Sequence, residues 1–398
     1  LFEMANIREQ CSWVHLHDRE AATAKAKDLV KMAVAKAALL QRAEEIEVPI
    51  IRKALVIGGG VAGIQASLDL ADTGYKVYLV EKQPSVGGMM ARIDKTFPTM
   101  DCSICILAPK MSDVGHHPNI ELLANSEVVD VKGYIGNFHV NLLKKPRYVT
   151  KDCSACGECA KVCPVIAPNE FDAGLAIRHA IYTPFAQAVP STYIIDMNMC
   201  LNKDGVIVCD KCMKACDRQA ISFEMKPETV ELDVGTITVA TGADVFDPSS
   251  LPDYGYGRYP NVITSLEFER LINAGGPSGG HLIRPGDMQI PSRVAFIQCV
   301  GSRSNKSGKL YCSNVCCMNT IKDSLLIKEH WPGTEIYVFY VDIRAYGKGF
   351  EDLYKRARKE GVVFIRGLPA EIIEDRKTRN LWLIGENTLQ KELYKVNV

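Results

Sequence analysis

The sequence lacks the features that would direct it to nucleic acid or to a membrane. Its 47 basic and 47 acidic residues balance, so electrostatics give no argument for an anionic partner. Its longest apolar runs are too short and too interrupted for a signal peptide or a membrane span. We therefore expect a cytoplasmic protein without nucleic acid or membrane partners, whose function has to be argued from individual sites.

Cysteine, by contrast, is abundant. The 398 residues include 15 cysteines, and their metal-type spacing favours a reducing cytoplasm over an oxidised secreted scaffold. The length allows two or three domains, each with its own core. Because the chain begins at Leu1 and stops without an obvious terminal element, we expect a fragment of a longer protein.

Two cysteine runs predict a pair of iron-sulfur clusters. In two-cluster ferredoxins, three closely spaced cysteines hold one [4Fe-4S] cluster and the fourth cysteine of the run ligates the other cluster. We expect a first cluster on Cys153, Cys156, Cys159 and Cys216, and a second on Cys163, Cys200, Cys209 and Cys212. The second run departs from the pattern, because Cys200 is more widely spaced and Asp217 stands where a proline often follows.

A dinucleotide-binding unit is predicted upstream of these runs. Residues 53–57 form a short apolar run typical of a buried parallel strand. A helical stretch follows to about Asp72, and then a second strand over 75–81. The turn between the first strand and the helix carries a Gly-x-Gly-x-x-Gly pattern, formed by Gly58, Gly60 and Gly63.

Each residue of this pattern has a physical role. Gly58 permits the tight turn, Gly60 lets the backbone approach a pyrophosphate, and Gly63 lets the helix pack closely on the strand. The phosphates would bind the amide groups at the helix N-terminus. Glu81, which ends the second strand, is placed to accept hydrogen bonds from an adenosine ribose. Its charge disfavours NADP and leaves FAD or NAD.

Downstream residues favour FAD. Two further segments resemble contact points of flavoproteins with two dinucleotide-binding domains, such as thioredoxin reductases: Gly87 and Gly88, and Thr241 and Gly242 after a strand at 236–240. That class carries a second glycine fingerprint for a nicotinamide cofactor. Here residues 292–301 keep the strand but not the fingerprint, so we do not expect hydride from NAD(P)H as the electron source.

A third group of cysteines replaces the missing fingerprint. Strand–helix turns can present adjacent cysteines to one cluster, and we interpret this group as a third [4Fe-4S] site. A zinc site and buried free thiols are the alternatives. The group consists of Cys299, Cys312, Cys316 and Cys317.

One further pair of cysteines has two interpretations. Cys102 and Cys105 lie where disulfide reductases place a redox-active pair beside the flavin, which predicts a dithiol. Alternatively, they could join Cys11 and a fourth ligand outside the chain in another cluster. The sequence leaves both open.

These patterns predict four segments. Residues 18–47 have near-helical apolar spacing and predict one long amphipathic helix, used for packing or for a subunit interface. The segments are an N-terminal helical one at 1–50, a first flavin-domain part at 51–148, an inserted two-cluster segment at 149–224 and a second flavin-domain part at 225–398.

Taken together, these motifs closely resemble the A-type iron-sulfur flavoprotein of heterodisulfide reductase over essentially the whole chain. The carrying motifs are Cys11-Ser-Trp-Val-His, the glycine turn, Asp101-Cys-Ser-Ile-Cys, the two-cluster cysteines and the group from Cys299 to Cys317. The resemblance implies an α/β flavoprotein of thioredoxin-reductase type with an inserted α+β ferredoxin domain. That family also has an earlier N-terminal domain, the remainder of the flavoprotein domain and a second ferredoxin domain at the C-terminus. Because the C-terminal flavin contacts are not visible here, we expect a weak or empty FAD site in this part alone.

The resemblance also implies an activity and partners. It predicts an oxidoreductase acting on a sulfur group, whose FAD divides an electron pair between ferredoxin and a disulfide reduced on partner subunits, without a catalytic acid, base or nucleophile. In methanogens the acceptor is the mixed disulfide of coenzymes M and B. Expected partners are other heterodisulfide reductase subunits, ferredoxin, and a hydrogenase-type or formate-dehydrogenase-type donor. The alternatives are a pyridine-nucleotide disulfide reductase using Cys102 and Cys105, or an electron-carrying scaffold without flavin.

Overall fold

The computed structural model describes residues 2–42, 47–203, 205 and 207–398. The chain divides into two compact units, Leu1–Pro49 and Ile50–Val398, which are considered separately. No helix in the described ranges is long and apolar enough to cross a membrane.

The first unit contains one long helix, α1 (Arg19–Leu39), after a π-helical turn at Arg8–Ser12. The Asp18 side chain caps α1 by accepting from the Ala21 amide at 2.9 Å. Of the amphipathic helix predicted over 18–47, the helix itself is confirmed from Arg19 to Leu39, and it ends there because Leu40 adopts an extended backbone conformation. The predicted amphipathic character is wrong, because no side chain of α1 is buried and the apolar side chains of Val30, Met32, Val34 and Leu39 are exposed. Residues 43–46 of that prediction lie outside the described part of the chain.

The second unit is a mixed α/β structure. Its helices are α2 (Val61–Asp72), α3 (Ser103–His116), α4 (Glu158–Lys161), α5 (Lys211–Lys214), α6 (Ser265–Ile272), α7 (Cys316–His330) and α8 (Phe350–Lys359). Its strands are β1 (Lys53–Ile57), β2 (Lys76–Glu81), β3 (Ile120–Ala124), β4 (Ser126–Tyr134), β5 (Asn137–Lys144), β6 (Ile166–Pro168), β7 (Ile177–His179), β8 (Ile181–Tyr182), β9 (Ile194–Ile195), β10 (Glu228–Val234), β11 (Thr236–Val239), β12 (Arg293–Ile297), β13 (Glu335–Tyr340), β14 (Val363–Arg366), β15 (Pro369–Glu374), β16 (Leu381–Asn387) and β17 (Glu392–Asn397).

A four-stranded parallel sheet carries the glycine turn, with strand order β11-β1-β2-β3. Leu55, Val56 and Leu79 of its central strands are fully buried, as expected for a parallel sheet covered on both faces. The predicted strands at 53–57, 75–81 and 236–240 and the helix to Asp72 are confirmed. β11 is distant in sequence but pairs directly with β1.

The cysteine-rich segment leaves from and returns to one antiparallel sheet, with strand order β10-β5-β4. Lys144 at the end of β5 faces Glu228 at the start of β10, and their side chains form a 3.2 Å ion pair. The intervening residues form the short helices α4 and α5 and the strand pairs β6-β7 and β8-β9. The two ends of this segment are therefore adjacent in space.

A second parallel sheet, with order β12-β13-β14, follows along the chain. Its core combines apolar side chains of α6, α7, α8 and the strands, among them Phe268, Phe296, Ile321, Val338 and Leu353. The strand predicted within 292–301 is confirmed from Arg293 to Ile297. An antiparallel meander, β15-β16-β17, completes the unit.

Candidate functional site

At two positions of the glycine turn after β1, the neighbouring backbone leaves no room for a side chain. Gly58 has φ +106°, and a Cβ on it would lie 2.3 Å from the Ala240 carbonyl oxygen. A Cβ on Gly63 would lie 1.8 Å from the Gly58 carbonyl oxygen. Glycine is therefore required at both positions, at the first for the turn and at the second for the approach of α2 to β1.

The Glu81 carboxylate fastens this turn to the end of β2. One oxygen accepts from the Gly59 amide at 2.6 Å, and the other accepts from the Gln83 amide at 2.7 Å. The side chain is buried. The sequence predicts Glu81 as a ribose acceptor, and the fold gives this residue a second role as the hydrogen-bond acceptor of the Gly59 amide.

The other predicted flavin contacts meet the same turn. The Gly87 amide donates to the Gly59 carbonyl at 2.7 Å, and a Cβ on Gly88 would lie 2.9 Å from the Gly60 Cα. Thr241 and Gly242 follow β11 directly, and the Thr241 Cα would lie 3.1 Å from a Cβ on Gly58. All the predicted dinucleotide contacts thus converge at the carboxyl end of the first parallel sheet.

The backbone groups of this turn are of the kind that bind the phosphates of a dinucleotide. A Cβ on Gly60 would meet no atom within 4 Å, and the N-terminus of α2 has no side-chain cap. Its amide groups therefore remain available for an anionic group such as a pyrophosphate. Gly58, Gly60 and Gly63 would hold the phosphates, and the Glu81 carboxylate lies at the end of the neighbouring strand.

Three of the four residues of the first predicted cluster, Cys153, Cys159 and Cys216, pack in the core of the cysteine-rich segment, whereas Cys156 is exposed. Burial raises the pKa of Cys159 to about 12, and the nearby Cys153 and Cys156 add to that shift. Cys216 packs in the same core, and its sulfur accepts from the Ala220 amide at 3.4 Å. Such buried sulfurs favour the neutral thiol unless a cation is present, which is the condition that bound iron supplies.

All four residues predicted for the second cluster line one cavity. Its other walls are largely apolar and include Pro164, Ile181 and Phe223. Burial raises the pKa of Cys212 to about 11. The donor set fits an iron-sulfur cube in an apolar enclosure, and it consists of Cys163, Cys200, Cys209 and Cys212.

The third group is the most tightly gathered. Cys316 forms hydrogen bonds with the thiols of Cys299 and Cys317, and these bonds lower its pKa. The same contact, reinforced by burial, raises the pKa of Cys299 and of Cys317. Cys312 lies close enough to raise the pKa of Cys317 further. The four predicted ligands therefore meet where the loop after β12 enters α7.

No group of three or more His, Cys, Asp or Glu side chains in the described ranges is placed to hold a single metal ion. Cysteine thiolates are ligands of both iron-sulfur clusters and zinc, so the residue types of the three cysteine groups are compatible with either.

Cys102 and Cys105 form a disulfide with 5.3 Å between their Cα atoms. This arrangement matches the dithiol alternative and differs from the prediction of metal ligands, because a disulfide sulfur is not a thiolate. Cys11 belongs to the first unit, where it is buried in the π-helical turn.

Several buried charges were missed from the sequence. Arg270 contacts Asp172 at 2.9 Å, and Lys322 contacts Glu269 and Asp323. Arg303 interacts with both Cys299 and Asp342. No spacing rule singles out the pairs Arg270–Asp172, Lys322–Glu269 and Arg303–Asp342, because each joins segments far apart in sequence.

The glycine turn and the strands around it match a known class of enzyme. A family model described as FAD dependent oxidoreductase matches residues 54–97. Among solved structures, a thioredoxin reductase of Lactococcus lactis covers 87% of this chain and 75% of its own, at 12% identity and a TM-score of 0.44. The family match covers β1 from Ala54, the glycine turn, α2, β2 and the Gly87-Gly88 pair.

The curated relatives are more specific. The chain is 58% identical to an A-type iron-sulfur subunit of the CoB--CoM heterodisulfide reductase of Methanopyrus kandleri, over 98% of this chain and 58% of that protein. It is also 58% identical to the A-type subunit of the H(2):CoB-CoM heterodisulfide,ferredoxin reductase of Methanothermobacter thermautotrophicus, over 94% of this chain and 56% of that protein.

This chain belongs to the family of A-type iron-sulfur subunits of heterodisulfide reductase, and the resemblance indicated by its motifs is confirmed. It spans 56% to 59% of the length of these relatives.

Proposed function

We propose that this chain is the FAD-carrying and [4Fe-4S]-carrying electron-transfer part of a heterodisulfide reductase. In this proposal an electron pair is divided between ferredoxin and a disulfide of the CoM-S-S-CoB type on partner subunits. FAD, when bound, exchanges one or two electrons, whereas each cluster exchanges one. The observation that carries the proposal is the occurrence of a complete dinucleotide turn and three cysteine groups in one compact unit.

Separate sets of residues would hold the flavin and the clusters. The glycine turn and the N-terminus of α2 would bind the FAD pyrophosphate, with Glu81 near the ribose and the pairs Gly87-Gly88 and Thr241-Gly242 completing the site. Cysteine thiolates would hold two clusters in an inserted ferredoxin domain at 149–224, between flavin-domain parts at 51–148 and 225–398. The adjacent ends of β5 and β10 support this insertion.

A third cluster would be held by the group from Cys299 to Cys317. The absence of a glycine fingerprint at β12 supports a route through clusters rather than through a nicotinamide cofactor. The names of the relatives support the same partners: ferredoxin, other subunits of the complex, and a donor that depends on H2 or formate. We propose a cytoplasmic location for this assembly.

The experiment is to measure iron, flavin and the electron paramagnetic resonance spectrum of anaerobically reconstituted full-length protein. We expect FAD and about eight to sixteen irons per chain, since each cluster holds four and the sequence allows two to four clusters. Recovery of fewer than about eight irons would refute the proposal, and clusters without flavin would favour the electron-carrying scaffold.

The Cys102–Cys105 disulfide favours a second candidate, a pyridine-nucleotide disulfide reductase. In that case NADH or NADPH alone would bleach the flavin absorbance, and Cys105→Ser would abolish turnover of a disulfide substrate. Under the main proposal neither nucleotide bleaches the flavin. The remaining alternative for this pair is a further cluster held by Cys11, Cys102 and Cys105. Only in that case would Cys102→Ser and Cys105→Ser each lower the iron content.

A further inference from the structure

Arg147 lies where the chain passes from β5 into the cysteine-rich segment. Its Nη1 donates to the Pro84 carbonyl at 2.7 Å, and its Nη2 donates to the Thr192 carbonyl at 3.0 Å. Pro84 belongs to the loop between Glu81 and Gly87, beside the proposed flavin site. Thr192 precedes β9, within the cysteine-rich segment. One guanidinium therefore fastens the flavin-side loop to the segment that carries the first two cysteine groups.

The surroundings of this guanidinium are unusual for an arginine. Within the described ranges no carboxylate forms an ion pair with Arg147, and its Nε is buried without a hydrogen-bond partner. Burial lowers the pKa of Arg147 to about 10, while Tyr182 and Cys153 oppose that shift. Because an uncompensated buried cation is costly, this position calls for a nearby negative charge.

The first cysteine group would supply a negative charge once its thiolates hold a cluster. Tyr148 and Tyr193, which are next in sequence to Arg147 and to its partner Thr192, pack in the same core as Cys153, Cys159 and Cys216. Arg147 therefore lies beside this group, and Cys153 acts on it electrostatically. A thiolate-bound cluster carries negative charge, and its one-electron reduction adds another without forming or breaking a bond. A neighbouring cation and hydrogen bonds to sulfur stabilise the reduced form and raise the reduction potential.

We propose that Arg147 is a positioning residue that joins the flavin-side loop to the first cluster site and raises the reduction potential of the cluster there. The cluster is the one assigned to Cys153, Cys156, Cys159 and Cys216. The inference rests on the proposed function, because it requires that cluster to be present. Beyond the proposed function, it assigns to the Arg147 guanidinium an influence on how readily the first cluster accepts an electron.

The test is a redox titration with dithionite, followed by electron paramagnetic resonance, of the full-length reconstituted protein. In Arg147→Gln we expect the first cluster's midpoint potential to become more negative, while the second cluster's potential is unchanged. Arg147→Lys keeps the charge and should restore most of the shift, although a lysine cannot bond both carbonyls with a planar fork. Unchanged potentials in iron-replete Arg147→Gln would overturn the inference.

Arg92 provides a matched control. Its guanidinium also joins the flavin-side part to the cysteine-rich segment, through the carbonyls of Glu170 and Phe171 at 2.8 and 3.0 Å. The charges that act on it belong to Arg270 and Asp172, not to a cysteine. Arg92→Gln should therefore leave the first cluster's potential unchanged. An equal shift in Arg92→Gln and Arg147→Gln would mean that loosened packing, not charge, sets the potential.

If Arg147→Gln loses its iron, so that no potential can be measured, hydrogen exchange is the second test. Hydrogen exchange on the iron-free chain should then show faster exchange in residues 84–88 and 192–195 together, because Arg147 bonds both segments. Unchanged exchange in either segment would contradict the joining role. Absence of iron or FAD from the unsubstituted protein would instead refute the proposed function, so the two failures are distinguishable.

Discussion

The second unit builds the same strand–turn–helix arrangement twice, once around glycine and once around cysteine. β1 enters the short turn Gly58–Gly60 and continues into α2, whose N-terminus is uncapped and open. β12 enters a long loop at 298–315, and α7 then begins with Cys316 and Cys317 in contact with Cys299. The two arrangements therefore differ in what they present before the helix: backbone amide groups at α2 and thiols at α7.

The two helices are also anchored by different means. α2 approaches its strand because Gly63 has no side chain. α7 is anchored by the fully buried Lys322, which pairs with Glu269 of α6 and with Asp323. Burial raises the pKa of Asp323 well above its usual range. Close backbone packing holds the first helix, and a buried ion pair holds the second.

Removing the charge that anchors α7 should have the largest effect. Lys322→Met leaves the Glu269 carboxylate buried without a cation, and loss of one partner of a buried pair costs about 3–5 kcal/mol of unfolding free energy. Chemical denaturation of the full chain measures this loss. Lys355→Met is the control, since Lys355 forms an exposed pair with Glu351 and should cost about 0.5 kcal/mol or less. Similar costs for both variants would mean that α7 is not held by its buried charges.

A side chain at Gly63, where α2 packs on β1, should lower the unfolding free energy by less than the Lys322→Met substitution does. In Gly63→Ala the new methyl group meets the Gly58 carbonyl, and such overpacking costs about 1–3 kcal/mol. We expect α2 to shift outward, with loss of both stability and flavin. Urea unfolding and the flavin content of the purified protein report the two effects.

Gly60→Ala separates the flavin site from the fold. Its methyl group meets no protein atom within 4 Å, so the unfolding free energy should be nearly unchanged while the methyl group obstructs the pyrophosphate. Loss of flavin with retained stability is the expected result. Full retention of flavin in Gly60→Ala would contradict the assignment of this turn to the phosphates.

The contrast between the two arrangements also explains what could be predicted from the sequence. The glycine turn, its flanking strands and the end of β11 follow from local residue patterns, among which Gly58 and Gly63 are required by close backbone contacts. The pairing of β5 with β10, the burial of Lys322 and the position of Arg147 depend on elements far apart in sequence. No local pattern carries that information, and the same limit applies to the choice between disulfide and ligand at Cys102 and Cys105.

Replacing Cys316 should change iron content at the arrangement of β12 and α7 and leave the arrangement of β1 and α2 unaffected. Cys316→Ser removes the thiol that contacts both Cys299 and Cys317, and we expect about four fewer irons per chain, because one [4Fe-4S] cluster is lost. Flavin content should be unchanged, since the site at β1 is built from other elements. An iron content equal to that of the unsubstituted protein would instead favour buried free thiols at this site.

The smallest effect is expected from the acidic residues that close the two turns. Glu81 ends β2 and accepts from the Gly59 amide at 2.6 Å, and Asp342 follows β13 and pairs with Arg303 of the loop after β12.

Glu81→Gln keeps one acceptor oxygen, but it loses the charge and turns its NH2 group toward one of the two amide donors. We therefore expect flavin affinity to fall by about 1 kcal/mol, roughly fivefold, as for loss of a charged acceptor from a buried hydrogen bond. Asp342→Asn breaks an ion pair whose carboxylate is half exposed, and we expect a change within about 1 kcal/mol in stability with iron content retained. Flavin titration by fluorescence and iron analysis measure the two effects. A loss of stability in Asp342→Asn that exceeds the loss of flavin-binding free energy in Glu81→Gln would contradict this order. The cysteine loop would then depend more on its acidic partner than the glycine turn does.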